Sequence, residues 1–398
     1  MPWPLRMVSY AATILLVLFL YFGFRYYRSL KLVQPQSTRF YFSFYFIAAI
    51  LFFTYPVGGL IQYWITNSFE RNDGPVLFIY LFWYGLIFAG TMLNWLLLHD
   101  LLLPIAKRFS RKPQLEIGRH FARFFLSLII ITLAYTAGKL IWDTHRITSV
   151  SIDYVIPETD LMTTFSPLTI VHVADLHADQ YTNDAKMDRY VKKINETNPD
   201  LVLFGGDLIT SGSEYVDNGA DALAKIESTY GTFAVLGDHD YWNDPDFITE
   251  VLETKGVTVL DNENFWFDHH GSKIKISGIT EIYSTRITND SLNILLEESD
   301  QESLKILFSH QASDRLIDQS LKKDMHLLFG AHTHGGQIRI PFFFYPATAV
   351  REETQYVNGH WMLENLLLNV NSGLGFTLSP VRYNAPAQVT VVKVRRET

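Results

Sequence analysis

Apolar positions crowd the first 143 residues of this 398-residue chain into four long runs, roughly 7–27, 40–66, 76–98 and 121–143. Each approaches or exceeds the ~20 residues that carry a helix across a bilayer. Tyr26, Tyr27, Trp64, Trp95 and Trp142 stand near the run ends, as interfacial aromatic belts do. The pattern predicts an all-α membrane region of four transmembrane helices. Arg25 and Tyr26 follow the core of the first run where a cleaved signal peptide would place small residues, so it reads as an anchor. His99 and Asp100 come directly after the third run. We expect that span to end at Leu98, with the pair at the interface.

From about residue 168 the pattern changes. Short runs rich in Val, Ile and Leu at 169–174, 201–205, 232–236, 273–278, 305–309, 325–329, 366–370 and 388–394 read as strands. Helical stretches at 184–197, 217–229, 244–255 and 312–322 separate several of them. This alternation predicts an α/β domain with buried sheets. The later strands follow one another without helices, which predicts two sheets packed face to face. Residues 144–166 have mixed polarity and contain Pro157, and read as a linker running into a first strand. Three parts result: a membrane domain (1–143), the linker (144–166) and a soluble domain (167–398).

Charge adds an orientation. The first loop between apolar runs holds Arg25, Arg28, Lys31 and Arg39, and the third holds Lys107, Arg108, Arg111, Lys112 and Arg119. The second has only Arg71, beside Glu70 and Asp73. By the positive-inside rule, loops one and three are cytoplasmic, so both chain ends and the soluble domain are extracytoplasmic in a multi-pass protein of the cell membrane. The net charge of −8 and the lack of a long basic tract argue against a nucleic-acid partner. There is no cysteine, which excludes disulfides and thiolate metal sites.

Candidate chemistry lies where the strands end. Asp175 and His177 follow the first, Asp207 the second, and Asp238, His239 and Asp240 the third. His310 follows a fourth, and His332 and His334 a fifth. In α/β sheets, sites gather outside the carboxyl ends of strands, so these side chains should converge. Three carboxylates (Asp175, Asp207, Asp238) and four imidazoles (His177, His310, His332, His334) exceed the needs of one ion. The nitrogen and oxygen donors suit Mn, Fe or Zn. Two divalent ions about 3.5–4 Å apart, bridged by one carboxylate, would use all seven and would activate a water for in-line displacement at phosphorus.

In this order the motifs Asp175-Leu176-His177, Gly206-Asp207, Gly237-Asp238-His239-Asp240, His310 and Ala331-His332-Thr333-His334 resemble the calcineurin-like metallophosphoesterase superfamily. The stretches HTHGGQIRIP (332–341) and NSGLG (371–375) resemble its membrane-associated YaeI/YkuE-like branch. The resemblance covers roughly residues 165–396. It implies a β-sandwich flanked by helices, with Asp175, His177, Asp207 and His334 on one metal and Asp207 bridging. Asp238, His310 and His332 would complete the second metal, with His239 as general acid and Asp240 orienting that imidazole. Three positions depart from the family pattern. Asp238 replaces an Asn, Ala331 replaces a Gly, and the turn 278–281 reads Gly-Ile-Thr-Glu. A third carboxylate cancels more of the metal charge and favours a harder ion such as Mn.

The aromatic run Phe342-Phe343-Phe344 after the last motif suits either an acyl chain or core packing. With the membrane region, it implies a phosphodiesterase acting on a phospholipid or lipid-linked phosphate, with the bilayer as its other partner. Three alternatives stand beside it. One is a UDP-diacylglucosamine-type pyrophosphate hydrolase, which needs a cytoplasmic site. The second is a membrane sensor or transporter with a catalytically weak metal domain. The third is a phosphoprotein phosphatase.

Overall fold

The computed structural model describes residues 1–71, 73–156, 165–297 and 303–396. Part of the expected linker, 157–164, lies outside the described residues. By contact the chain forms two units. One comprises Met1–Thr144, Ile338–Thr348 and Leu378–Asn384. The other comprises His145–Gln337, Ala349–Thr377 and Ala385–Thr398.

The first unit is built on α1 (Trp3–Val33), α2 (Thr38–Thr66), α3 (Val76–Phe109) and α4 (Gln114–His145). All four are long and apolar enough to cross a membrane, and they define a membrane protein. Helix α3 runs through His99 and Asp100 and does not stop at Leu98. The helix persists because Asp100 has a cation: Arg25 of α1 pairs with it, and Tyr21 donates to it at 2.5 Å. An interhelical ion pair of this kind lets an acid stay within an apolar bundle. Aromatic side chains fill the interior, with Phe19 edge-on to Phe52 at 5.5 Å and Phe22 edge-on to Phe88 at 5.7 Å. Strands β10 (Ile340–Phe342) and β11 (Tyr345–Ala347) form an antiparallel hairpin that belongs to this unit.

The second unit holds two six-stranded sheets. The first runs in the order β1 (Ile147–Ile156), β14 (Ala387–Arg396), β2 (Leu168–Val173), β3 (Leu201–Phe204), β4 (Thr232–Ala234) and β5 (Thr258–Val259). The second runs β12 (Gly359–Leu363), β13 (Leu366–Val370), β9 (Leu327–Gly330), β8 (Leu304–Ser309), β7 (Ser272–Ile279) and β6 (Glu263–His269). Strands β2, β3 and β4 are parallel neighbours, as are β7, β8 and β9. Side-chain alternation builds the layers. Ile170, Leu203, Phe233, Ile306, Phe308 and Phe329 fill the space between the sheets. Val171, Val173, Val202 and Phe204 face outward onto α5 (Asp184–Asn195), α6 (Val216–Ala224) and α8 (Pro245–Thr254). Leu307 and Leu328 face α9 (Asn289–Glu297) and α10 (Asp314–Lys322). The result is the expected helix–sheet–sheet–helix order. A short helix, α7 (Asp238–Asn243), follows β4 after residues 235–237.

One polar group crosses the inter-sheet core. His172 of β2 is fully buried, with Nδ1 2.9 Å from Asn369 Oδ1 of β13 and its ring 5.0 Å from Phe329. Burial lowers its pKa from 6.5 to about 4. The folded state therefore keeps this imidazole neutral where the unfolded chain takes up a proton. Stability is full above pH 6.5 and falls as pH drops toward 4, by about 3 kcal/mol across the window for this group alone. Thermal melts from pH 7 to 4 should show that loss, and His172→Met should remove about one proton from the slope.

Candidate metal centre

Strands β2, β3, β4, β8 and β9 deliver their carboxyl ends to one edge of the sandwich, and the seven ligand candidates fall into two clusters there. Asp175, His177, Asp207 and His334 form one, and Asp238, His310 and His332 the other. Within each cluster the ligand atoms lie within 4.8 Å of one another. Asp207 Oδ2 stands between them, 3.3 Å from His177 Nε2 and 3.5 Å from His310 Nε2. His177 Nε2 and His334 Nε2 are 3.0 Å apart, and His332 Nδ1 lies 3.2 Å from His310 Nε2. Lone pairs of imidazoles brought this close need a shared cation or proton. Buried carboxylates interleaved with imidazoles, and one acid in reach of both sets, fit a pair of divalent ions.

The backbone bends hard to bring them there. Asp175, His177, Asp207, His332 and His334 all have left-handed φ, between 47° and 71°. Such conformations cost of order 1 kcal/mol or more per non-glycine residue and cluster at functional sites. Ala331, in place of the family glycine, is outside that set among the described residues, so a Cβ is tolerated there. Gly237 has no such latitude: a Cβ would lie 2.2 Å from Asp207 Oδ1. The NSGLG stretch supports Asp175 from below. Leu374 N donates to Ala174 O at 2.9 Å and Gly375 N to Asp175 O at 2.7 Å.

Outer contacts fix the ring nitrogens. His310 Nδ1 donates to Gly205 O at 2.7 Å, which leaves Nε2 to face the cluster. His332 is turned the other way: Tyr283 Oη lies 3.0 Å from its Nε2 and Glu353 3.5 Å, so Nδ1 faces Asp238 at 2.9 Å. Burial would lower His332, but hydrogen bonds to Asp238 and Glu353 push it up to about 10. For Asp207, burial alone would raise the carboxyl, but His310, His239 and His177 hold it well below the ordinary range. Tyr283 and Glu353 were not visible as site residues in the sequence, because neither follows a predicted strand or belongs to a motif.

His239 and Asp240 separate. On the first turn of α7 adjacent side chains diverge, so Asp240 does not reach the imidazole beside it. Instead its oxygens accept from Asp207 N at 2.8 Å, Leu208 N at 2.9 Å and Gly237 N at 2.9 Å. Asp240 thus ties the second and third motif loops together. This corrects the expected role of orienting His239. That task falls to Thr210, whose carbonyl accepts from His239 Nδ1 at 2.6 Å. Burial and the Asp207 charge push Asp240 up to about 7, against the pull of the amides.

The charge at position 238 also has a local reason. Asp238 Oδ1 accepts from Tyr283 N at 3.2 Å, and Oδ2 from Gln311 Nε2 at 3.3 Å while facing His332 and His310. An Asn that kept its oxygen toward the imidazoles would aim its NH₂ at the Tyr283 amide, donor against donor. Buried, that mismatch costs about 1–3 kcal/mol. Asp238→Asn should therefore weaken metal uptake by at least about tenfold, measured by titrating the full chain with Mn²⁺, with the fold retained by circular dichroism.

Residues 168–336 match the calcineurin-like phosphoesterase family. An uncharacterized metallophosphoesterase of Campylobacter jejuni is 28% identical over 279 residues, 68% of this chain and 70% of its own. YkuE of Bacillus subtilis is 28% identical over 235 residues, 58% of this chain and 80% of its own. A Danio rerio protein named as a transmembrane protein with metallophosphoesterase domain is 24% identical over 257 residues, 62% of this chain and 57% of its own. The two-sheet fold and its metal-ligand edge are those of a metal-dependent phosphoester hydrolase. Residues 168–336 of the chain are thus similar to the calcineurin-like phosphoesterases, and the match covers the part that carries the metal-ligand edge.

Proposed function

We propose that the protein is a membrane-held phosphodiesterase with two divalent ions, Mn favoured, acting on a phospholipid or lipid-linked phosphoester on the extracytoplasmic side. The placement of Asp207 Oδ2 within 3.5 Å of ligand nitrogens in both clusters carries the two-ion reading. The four apolar helices support a substrate drawn from the bilayer, and the basic first and third loops support the side. When bound, the ions would supply positive charge for the phosphoryl oxygens and lower the pKa of an attacking water.

Asp175, His177, Asp207 and His334 would hold one ion, and Asp207, Asp238, His310 and His332 the other. His239 holds the proton for the leaving oxygen. Its Nδ1–H is committed to Thr210 O, so Nε2 is the nitrogen that exchanges a proton with substrate. Trp242 is half exposed with its ring 4.9 Å from His239, an apolar shelf for the leaving group.

Three measurements test this reading. His239→Ala should keep about two ions per chain and lower turnover by ~10²–10⁴ for an alkyl leaving group, but far less for nitrophenol, which needs no protonation. Loss of an ion would make His239 a ligand instead. Purified full-length chain should hydrolyse a bis-aryl phosphodiester and a lipid-extract component in preference to an aryl monoester or a phosphopeptide. A metal-replete chain that cleaves none of them favours the sensor or transporter alternative, and cleavage of a nucleotide–lipid pyrophosphate alone favours the pyrophosphatase. A reporter fused after Thr398 should be active only outside the cytoplasm; cytoplasmic activity overturns the assigned side.

A further inference from the structure

The hairpin β10–β11 is placed as a membrane element would be, although its sequence follows the last metal motif. Its base is tied to the end of the fourth apolar run. Arg339 N donates to Tyr383 O at 2.9 Å, Asn384 Nδ2 donates to Arg339 O at 2.9 Å, and Asn384 N donates to Asp143 Oδ2 at 2.7 Å. Asp143 closes the apolar run 121–143, at the level where a span meets water. The tip is tied elsewhere. Asn94 Nδ2 donates to Pro341 O at 2.6 Å, and Phe343 N donates to Asn94 Oδ1 at 3.0 Å. Ile340 lies so close to α3 that a Cβ on Gly90 would meet its Cδ1 at 2.8 Å. Gly90 and Asn94 lie inside the apolar run 76–98, which the sequence pattern assigns to a membrane span.

Irregular backbone at that depth needs every polar group satisfied from within the protein. Two features of the hairpin reduce the number of such groups. Asn94 takes one carbonyl and one amide, and the paired positions 341 and 346 are both proline, which has no N–H to satisfy. The side chains left over are apolar and exposed: Phe342, Phe343, Phe344 and Tyr345, with Phe344 94% exposed. These and Arg339, Pro341, Pro346 and Asn384 line a groove of about 360 Å³, within the ~300–1,000 Å³ of small-molecule sites. A cation stands at its base and aromatic rings at its tip.

We propose that this hairpin is embedded in the bilayer and seats one anionic phospholipid, its phosphate at Arg339 and an acyl chain along Phe342–Tyr345. The charge sits at the interfacial end and the aromatic surface at the buried end, the division of polarity that a phospholipid has. The proposal rests on the helices spanning a bilayer and not on the catalytic reading.

The chain has no cysteine, so Phe344→Cys gives a unique site for a bimane label. The labelled full chain goes into phosphatidylcholine nanodiscs containing a minor fraction of phosphatidylglycerol brominated on its acyl chains. Brominated phosphatidylglycerol should quench strongly and aqueous iodide weakly. Quenching should exceed that from brominated phosphatidylcholine at equal mole fraction, by at least about twofold. Arg339→Gln should bring the two lipids level, and excess inorganic phosphate should not displace the lipid. Dominant iodide quenching, or quenching by neither agent because a second protein surface covers the tip, overturns the proposal. Equal quenching by both lipids in the parent chain overturns the anionic seat. Unchanged metal content and hydrolysis of a soluble phosphodiester in the Phe344→Cys chain show that it is folded, and keep failure of the proposal distinct from failure of the phosphodiesterase reading.

Discussion

Mutual repulsion among buried acids is the constraint around which the catalytic unit is organised. Asp175, Asp207, Asp238 and Asp240 are all buried at one sheet edge. Like charges at such separations, removed from water, are tolerated only when cations, protons or hydrogen-bond donors balance them. The chain supplies each of these in a different place. Imidazoles, with the metal ions these residues would hold, answer the first three acids, and three backbone amides answer the fourth. Those amides come from two separate strand-end loops, so Asp240 converts a charge problem into a cross-link. The left-handed turns on which five of the ligands sit are the mechanical counterpart. Strain of that kind persists only when the surroundings over-determine it, and here an apolar core on each face of each sheet does so.

Much of this was legible in the sequence because the ligands follow β-strands whose apolar runs are buried on both faces. The motif positions then come with their spacing and their place at the strand ends. What was not legible shares a physical cause. Strand β6 reads Glu-Asn-Phe-Trp-Phe-Asp-His and β12 is half exposed, and both are sheet edges where burial imposes no clean apolar run. The role of Asp240 was misread because adjacency in sequence suggests contact, whereas adjacent residues on a helical turn point apart. Tyr283 and Glu353 reach His332 from loops with no periodicity at all.

His99 and Asp100 show a similar limit. Polar residues at the end of an apolar run look like the end of a span. In the folded chain Arg25 and Tyr21 on another helix take up the charge, and α3 continues to Phe109. A partner 75 residues away leaves no local trace. The same holds for Asn94, whose side-chain bonds go to positions 341 and 343.

The division of the chain between its two units has a consequence for how this enzyme can be handled by a cell. The polypeptide passes from one unit to the other at 144–145, again at 337–338 and 348–349, and again at 377–378 and 384–385. Proteases release many membrane-tethered ectodomains by severing one stalk. Here a cut after residue 144 leaves residues 338–348 and 378–384 packed in the helical unit, so release also requires those two segments to come away from it.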